Sequence, residues 1–396
     1  MKVLFLTDNF IPETNAPATR TYEHCKEWVQ QGVDVTVITC VPNFPKGKVF
    51  DGYKNKLFQK EIIDGIKVIR VWTYVTANEG TVKRILDYIS FMISSFLVGL
   101  FIKTDIIVAT SPQFFTAISG SWLAFWKRKR WIMEVRDIWP ESIKAVGAMK
   151  DGYILKYFEY MERKMYKSAH KIVVVTDSFK KYIIESHGIT EDKIGVIKNG
   201  IICDKFIPKE KDEELLEKLD LKNKYIIGYI GTHGMAHALD FILKAASKVT
   251  NNKYHFLLIG DGAQKKNLMS LKKDLNLYNV TMLNNIDKSL VRDYLSILDI
   301  GLVNLKKSDT FKSVIPSKIF ELCAMNKPIL IGVEGEAKKI VEDYKVGKGF
   351  IPENYESFES NLNYMYNNNI SYDFTKILLD YDRIKLSKRM LDFIIN

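Results

Sequence analysis

A lysine and a glutamate near residue 320 have the residue types and the spacing to hold a phosphorylated ribose. In the segment 315–330, Pro316 and Ser317 open a helical stretch. Lys318 therefore lies in its first turn, and Glu321 follows one turn later on a similar face. A cation at a helix start opposes the helix dipole by roughly a few tenths of a kcal/mol, and a bound phosphate would remove that conflict. Because a carboxylate can accept two hydrogen bonds from a diol, we expect Ser317, Lys318 and Glu321 to contact such a ligand.

Two glycine-containing segments follow apolar runs in the same half of the chain. Residues 231–234 (GTHG) form a short loop suited to a diphosphate held on backbone N–H groups. Residues 260–262 (GDG) form a turn that would pass a ligand closely, although an ordinary left-handed turn explains these residues about as well. The histidine alone is a weak signal, since packing or capping would also account for it. The residues assigned to binding here are Thr232, His233, Gly234, Gly260 and Asp261.

The N-terminal half carries two further polar segments after predicted strands. In EVRDIWPES (134–142), Arg136 and Asp137 are adjacent, so one can pair with a substrate while the other fixes or neutralises it. A structural salt bridge is the commoner use of such a pair. In the loop 8–20, the small residues Asn15 and Ala16 let the backbone approach a ligand, with an ordinary strand-to-helix loop as the alternative. We expect both segments to contribute to a site.

Both halves of the chain alternate apolar strands with helices, which predicts α/β domains with parallel sheets buried on both faces. In such sheets ligands bind beyond the carboxyl ends of the strands, where the polar segments above lie. An Asn-Gly pair, Pro208 and the charged run 209–218 predict a domain boundary near residue 200. Five strands are expected after residue 224, and the earlier ones at 3–7, 34–40, 66–72, 105–109, 131–135 and 171–176.

The composition excludes several classes of protein. The four cysteines are far apart and form no CxxC pair, which argues against a disulfide framework or a zinc site. No GxGxxG fingerprint follows the first strand, and no nucleic-acid-binding signature is present. The N-terminus runs directly into a strand without signal-peptide architecture, which predicts a cytoplasmic protein. The net charge of +11 suits phosphorylated substrates or anionic lipid, or is simply solvated surface.

One apolar segment and one basic segment raise the question of a membrane. From Tyr88 to Ile102 there is no charge, but this stretch is shorter than the ~20 residues that span a bilayer. The string WLAFWKRKRW (122–131) combines cations with tryptophans, the mixture that suits an anionic headgroup layer. The helix predicted over 85–102 is therefore either buried in the core or docked on an anionic membrane surface.

Five strings in order resemble the retaining glycosyltransferases of family four, which have the GT-B fold. The strings are EVRDIWPES, VIKNGI, GTHG, LLIGDG and PSKIFELCAMNKP, and they span nearly the whole chain. The likeness is closest to bacterial enzymes of O-antigen and capsule synthesis, including L-fucosamine (N-acetyl-L-fucosaminyl) transferases. It implies two Rossmann-like doubly wound parallel-sheet domains facing across a cleft. It also implies that residues 1–200 bind the acceptor, that 201–372 bind the nucleotide sugar, and that a tail helix, 373–396, packs back on the first domain.

The resemblance also implies roles for individual residues. Glu321 matches the second glutamate of the family's E-x7-E motif, which holds the ribose hydroxyls, and Gly260 and Asp261 match the turn near the base. Asp137 or Arg136 occupies the strand end where many members carry a histidine near the transferred sugar. Asn15 and Ala16 match a loop facing the diphosphate, and Glu336, at the start of a later helix, joins the substrate-binding set.

Two departures from the family pattern concern the donor. Ser313 stands where the first glutamate of E-x7-E is expected. The separate Arg and Lys that many members place on the diphosphate are also absent after the first strand of the second domain, where GTHGMAH stands instead. We therefore expect Lys318 to take over the phosphate charge.

The expected activity is retaining transfer of a sugar, an N-acetylated or deoxy hexosamine, from a UDP-sugar. The expected acceptor is a polyprenyl-diphosphate-linked saccharide of capsule or O-antigen synthesis at the inner face of the cytoplasmic membrane. No metal or other cofactor and no nucleic-acid partner are expected. The alternatives are a non-hydrolysing UDP-sugar 2-epimerase and a non-catalytic subunit that binds sugar nucleotides.

Overall fold

The chain folds into two units, each built on a mainly parallel sheet. The computed structural model describes residues 1–44, 46–76, 81–111, 114–140, 152–368 and 370–396. The first unit comprises Met1–Asn199 together with Arg383–Asn396, and the second comprises Gly200–Asp382. No helix of the described residues is long and apolar enough to cross a membrane.

The sheet of the first unit has eight strands in the order β3-β4-β2-β1-β5-β6-β7-β8. All neighbours are parallel except β3 and β4, which form an antiparallel hairpin. The six predicted strands are present, whereas the half-exposed edge strand β3 and the short β8 were not predicted from the sequence. The strands are β1 (Lys2–Leu6), β2 (Asp34–Cys40), β3 (Phe58–Ile63), β4 (Ile66–Val71), β5 (Ile106–Thr110), β6 (Arg130–Val135), β7 (Lys171–Val174) and β8 (Ile194–Val196).

Helices cover the first sheet on both faces. The helix after β1 begins at Ala16, and the side chain of Asn15 caps it. The next three connect β4 through β7, and their inner sides pack on one hydrophobic core. The helices are α1 (Ala16–Gln30), α2 (Thr81–Gly99), α3 (Phe114–Lys127), α4 (Tyr153–Ser168) and α5 (Asp177–His187).

The sheet of the second unit has six parallel strands in the order β11-β10-β9-β12-β13-β14. The strand order reverses between β9 and β12, the position where ligands bind in doubly wound sheets. Five strands follow the prediction, whereas β14, a Gly-Lys-Gly segment without β-branched residues, was missed. The strands are β9 (Tyr225–Ile230), β10 (Tyr254–Ile259), β11 (Val280–Leu283), β12 (Ile300–Asn304), β13 (Ile329–Gly332) and β14 (Gly347–Gly349).

Eight α-helices lie in the described part of the second unit, most of them connecting its strands. Two start the segments predicted to contact ligand, at Lys318 and at Glu336. The helices are α6 (Glu213–Lys218), α7 (Leu239–Lys248), α8 (Lys265–Asp274), α9 (Val291–Ser296), α10 (Lys318–Ala324), α11 (Glu336–Asp343), α12 (Tyr355–Asn367) and α13 (Thr375–Asp380).

The tail consists of two helices, not the single returning helix predicted from residue 373. Helix α13 stays in the second unit because Ile377 and Tyr381 are buried in its core, where Tyr381 lies 4.6 Å from the ring of Phe320. The chain returns to the first unit only with α14 (Arg383–Ile395). There the indole N–H of Trp28 donates to the carbonyl oxygen of Ser387 at 2.9 Å, which fixes α14 on α1.

A buried ion pair joins α1 to the centre of the first sheet. The Nε of Arg20 lies 2.9 Å from Oε1 of Glu134, and both side chains are 1% exposed. Arg20 also donates to the carbonyl oxygens of Ile197 and Lys198, just after β8. Burial alone would raise the pKa of Glu134, but Arg20 and Arg136 outweigh it and hold the pKa below its usual value. The pair therefore remains ionised and ties three segments together.

Breaking this pair should destabilise the first unit strongly. We expect Glu134→Ala to lower the free energy of unfolding by about 3–5 kcal/mol, because the guanidinium of Arg20 would be left buried without its carboxylate. Lys67→Ala is the matched control, since the ion pair of Lys67 with Asp34 is largely exposed and is worth about 1 kcal/mol or less. Urea unfolding followed by circular dichroism measures both. Equal losses in the two variants would contradict the assignment.

Candidate functional site

At the carboxyl edge of the second sheet, the loops after β9 and β10 fit closely against each other. A Cβ atom at Gly260, where φ is 145°, would lie 1.8 Å from the carbonyl oxygen of Gly231. The N–H of Gly231 donates to the carbonyl oxygen of Ile259 at 2.8 Å, and the N–H of His233 donates to that of Asp261 at 2.9 Å. Only glycine allows this approach, so the GTHG and GDG segments form one preorganised surface.

The ammonium group of Lys318 lies directly over this surface. A Cβ atom at Gly231 would be 2.2 Å from Nζ of Lys318, and Nζ is 5.7 Å from the ring centroid of Tyr229. Burial lowers the pKa of Lys318, and the charge of Glu321 partly opposes that shift. Among the described residues, the Lys318 side chain has no hydrogen bond and no ion pair. The structure therefore holds a half-buried cation that no carboxylate among the described residues contacts directly.

Two backbone donors beside this cation remain unused. The N–H groups of Thr232 and Gly234 have no hydrogen-bond partner in the described parts of the chain, whereas those of Gly231 and His233 are occupied. The carbonyl oxygen of Thr232 accepts from the hydroxyl of Tyr229 at 2.8 Å, which fixes the orientation of the loop. One ammonium group and two free amides at a strand end can bind a diphosphate.

The ring of His233 adopts the packing alternative that its place in the sequence left open. Its side chain is fully buried, and neither ring nitrogen has a hydrogen-bond partner within the described residues. Burial, assisted by Lys265, lowers its pKa to about 4, so the ring is neutral near pH 7. The structure gives His233 a packing role under the loop, because its backbone N–H and C=O are both used to join the β9 and β10 loops.

His237 and Asn304, which were not predicted from the sequence, also lie beside this loop. The pKa of His237 is lowered by burial and by the charge of Lys318. Asn304, at the end of β12, is buried and donates from Nδ2 to the carbonyl oxygen of His237 at 2.9 Å. The sequence signal for Asn304 was its position as the polar last residue of an apolar strand, β12, next to the point where the strand order reverses.

The other predicted residues of this unit lie at the starts of helices or on the loop surface. Asp261 is exposed, and its Oδ1 accepts from the N–H of Gly262 at 2.7 Å. Ser317 is exposed and does not cap α10. Glu321 is half-buried within electrostatic reach of Lys318. Glu336 is half-buried and begins a separate helix, α11. The structure thus groups Lys318 with the two loops and with Glu321.

In the first unit, Arg136 and Asp137 follow β6 as predicted. Asp137 is half-buried. The N–H of Arg136 donates to the Ser111 hydroxyl at 3.3 Å, at the end of the neighbouring strand. Burial lowers the pKa of Arg136 to about 10, with Glu134 opposing this shift, and its Nε and Nη1 atoms have no hydrogen-bond partner among the described residues. Residues 141 and 142 of the EVRDIWPES string lie outside the described residues.

Asn15 has a structural task in addition to any contact with a ligand. Its Oδ1 accepts from the N–H of Ala18 at 2.9 Å, and its Nδ2 donates to Oδ1 of Asn9 at 2.7 Å. Both ends of the amide are therefore engaged in fixing the loop and the start of α1. Ala16 is exposed in the first helical turn.

A pair of carboxyl groups near this edge was not anticipated. Oε1 of the buried Glu13 accepts the N–H groups of Asn43 and Phe44, each at 2.8 Å. Burial, followed by the charge of Glu13, raises the pKa of Asp87 in α2 from 3.8 to about 7. A single aspartate in the apolar run ILDYISF was the available sequence signal.

The raised pKa of Asp87 predicts a pH-dependent stability. The folded chain holds this proton more tightly than the unfolded chain, so the stabilisation is complete below about pH 4 and is lost as the pH rises through about 7. We expect Asp87→Asn to increase the free energy of unfolding at pH 8, by ~4 kcal/mol at most, and to have little effect at pH 4. Thermal unfolding across this range measures it, with the exposed Asp51→Asn as control. An effect that does not vary with pH would contradict the assignment.

No group of three or more His, Cys, Asp or Glu among the described residues is placed to hold a metal ion.

Both halves of the chain match models of known families. The Glycosyltransferase Family 4 model matches residues 17–205, and the Glycosyl transferases group 1 model matches residues 211–376. WcaI of Escherichia coli (strain K12), named for glycosyl transfer in colanic acid biosynthesis, is 25% identical over 344 residues, 84% of each chain. TuaH of Bacillus subtilis (strain 168), named for glycosyl transfer in teichuronic acid biosynthesis, is 24% identical over 50% of this chain and 49% of that protein.

Solved structures with little sequence identity share the whole fold. Anabaena Alr3699/HepE in complex with UDP and glucose superposes with a TM-score of 0.74, at 14% identity over 100% of both chains. The glycosyltransferase WaaG, involved in lipopolysaccharide biosynthesis, superposes with a TM-score of 0.61, at 12% identity over 98% of this chain and 95% of its own. With one family model on each unit and this fold throughout, the chain belongs to the family 4 glycosyltransferases of the GT-B fold.

Proposed function

We propose that this glycosyltransferase moves a sugar, with retention at the anomeric carbon, from a UDP-sugar to a polyprenyl-diphosphate-linked saccharide. The second unit binds the donor, and the first unit binds the acceptor. The relatives named for colanic and teichuronic acid synthesis support a bacterial envelope polysaccharide as the product. The complexes of Alr3699/HepE with UDP and with UDP-glucose support UDP as the nucleotide. The resemblance to O-antigen and capsule enzymes supports an N-acetylated or deoxy hexosamine as the sugar.

The half-buried ammonium group of Lys318, which has no hydrogen bond or ion pair within the described residues, is the observation that carries this proposal. Transfer releases a nucleoside diphosphate, so the negative charge on its terminal phosphate grows as the glycosidic bond breaks. A fixed cation and the free N–H groups of Thr232 and Gly234 stabilise that charge without reorganising. In this proposal Glu321, one turn after Lys318, accepts hydrogen bonds from the ribose hydroxyls.

The transfer step needs no nucleophile from the protein. The bond between the anomeric carbon and the phosphate oxygen breaks, and the acceptor oxygen forms its bond on the same face of the sugar. The acceptor proton passes to the departing phosphate oxygen. Asp137 stabilises the oxocarbenium-like sugar and Arg136 supports the charge balance beside it. Lys318 supplies the charge that a metal ion supplies in other nucleotide sites, so we propose that no metal or cofactor is required.

Replacing Lys318 tests the donor site. We expect Lys318→Met to weaken UDP binding about 10- to 100-fold, because a charge-assisted contact contributes about 1.5–3 kcal/mol. The control is Lys273→Met, which removes the same charge from an exposed position near the opposite end of the second unit's sheet. Isothermal titration with UDP measures both, and turnover follows the release of UDP. If both variants bound UDP like the wild type, the cation would have no part in the site.

We propose further that the enzyme works on the inner face of the cytoplasmic membrane, through the outer surface of α2 and α3. The inner side of α2 is buried, with Phe91 and Met92 in the core. This side fits the core helix predicted from the sequence, and we propose that the outer side provides the membrane-docking alternative. Large apolar residues are exposed just beyond the end of α2 and in the last turn of α3; we call Phe101, Phe125 and Trp126 the aromatic face. Phe101 is 86% exposed, Phe125 80% and Trp126 68%.

The geometry of α2 and α3 collects these residues at one end. The helices run parallel, since the ring centroids of Phe96 and Trp122 are 5.7 Å apart and Lys127 donates to the carbonyl oxygen of Leu100 at 2.8 Å. Their C-terminal ends therefore bring Phe101, Phe125 and Trp126 together. Exposed cations surround this end and suit an anionic headgroup layer; they are Lys103, Arg128, Lys129 and Arg130.

Vesicle sedimentation tests this surface. The wild type should sediment with vesicles of phosphatidylcholine and phosphatidylglycerol and not with phosphatidylcholine alone. The double variant Phe101→Ser, Phe125→Ser should lose most of this binding, because both rings leave the interface. Tyr278→Ser in the second unit is the control, since Tyr278 is 91% exposed but distant in sequence from the aromatic face. Failure of the wild type to bind anionic vesicles would end this part of the proposal.

A further inference from the structure

A groove with a cavity volume of about 760 Å³ opens at the amino-terminal edge of the second sheet. It lies between the end of α12, the segment before α13, the first residue of β9 and the residues preceding β13. The groove is separate from the donor site, because the two lie at opposite ends of β9. This strand begins at Tyr225, in the groove, and ends at Ile230, just before the loop that lies under Lys318. The volume falls within the ~300–1,000 Å³ of small-molecule sites. The residues that decide its chemistry are Tyr225, Asn326, Tyr366, Asn367, Tyr372 and Asp373.

The apolar part of the lining consists of fixed aromatic rings. The rings of Tyr225 and Tyr366 meet edge to face with their centroids 4.9 Å apart. Tyr254 supports Tyr366 from a second side at 5.1 Å, yet 37% of Tyr366 remains exposed. A ring that is held in place on two sides can stack on a ligand with little loss of conformational freedom.

The polar part of the lining has unused hydrogen-bonding capacity. The hydroxyl oxygen of Tyr372 is buried and has no partner among the described residues. Such a group costs about 1–3 kcal/mol unless a ligand or water pairs with it. Asn326, Asn367 and Asp373 are exposed at the rim, and one carboxylate oxygen of Asp373 is used by the N–H of Thr375 at 2.9 Å.

The groove offers no cation to a phosphate. No lysine or arginine belongs to the lining that the structure describes. Lys327, between two lining residues, turns away and donates to the carbonyl oxygen of Ser296 at 2.6 Å. A nucleotide or a phosphorylated lipid is therefore a poor match, and an uncharged ligand rich in hydroxyl groups is a good one.

We propose that this groove binds a short segment of uncharged oligosaccharide. The apolar C–H face of a sugar ring packs on Tyr366, while its hydroxyl groups pair with the amides, with Asp373 and with the Tyr372 hydroxyl. The groove is separate from the donor site, and only the source of the ligand rests on the proposed function. In a polysaccharide-synthesising enzyme, that source is the growing chain, which the groove would retain beside the enzyme.

Saturation-transfer NMR and isothermal titration with neutral hexasaccharides of glucose, galactose and N-acetylglucosamine test the groove. The full-length wild type should bind at least one of them, and Tyr366→Ala should weaken that binding about tenfold. Asn367→Ala, at an exposed position that leaves the aromatic packing intact, should weaken it as well. The control is Tyr364→Ala, because Tyr364 is 45% exposed on the same helix, lies against Lys348 and does not line the groove.

The outcomes separate this proposal from the donor site. UDP affinity should stay at the wild-type value in all three variants, since the groove lies at the opposite edge of the sheet. Binding that is lost in Tyr366→Ala and Asn367→Ala and kept in Tyr364→Ala supports the groove. Wild-type protein that binds none of the three saccharides, or equal loss in Tyr364→Ala, overturns it. If the wild type did not bind UDP at all, the proposed donor would be refuted, and the saccharide result would be unaffected.

Discussion

A half-buried ammonium group over a glycine loop, with no carboxylate in direct contact among the described residues, is the constraint on which the candidate donor site depends. Lys318 lies so close to Gly231 that any side chain there would collide with it. The same intolerance holds at Gly260, which touches the Gly231 carbonyl. An unpaired, half-buried cation costs free energy in the empty protein. A bound anion removes that cost. The unpaired charge of Lys318 therefore destabilises the protein without a ligand and favours binding of a diphosphate.

The elements that position this cation follow directly from the residues. Runs such as YIIGYI and YHFLLI predict buried parallel strands because they are apolar throughout, and both are observed. The segments 231–234 and 260–262 follow these two strands as predicted, because the apolar run of each strand stops at a glycine. The strands that escaped prediction are a half-exposed edge strand, a three-residue strand and a Gly-Lys-Gly segment, none of which carries the apolar signal.

What could not be predicted is the pairing of residues far apart in sequence. Arg20 and Glu134 are 114 residues apart, and only the sheet order brings them together. His233 was assigned to binding because it stands in the loop, yet burial of its ring follows from how two loops pack, which spacing does not encode. The tail was predicted as one helix because both parts are amphipathic. The helix is interrupted at Tyr381 because the side chain of Tyr381 is buried in the core of the second unit.

A crystal structure of the enzyme with UDP is the most direct test of the central interaction. We predict the diphosphate within about 3 Å of Nζ of Lys318, with the N–H groups of Thr232 and Gly234 donating to its oxygens. The ribose hydroxyls should face Glu321. A diphosphate bound elsewhere, with Nζ of Lys318 still packed against Gly231 and out of reach of any phosphate oxygen, would contradict this assignment.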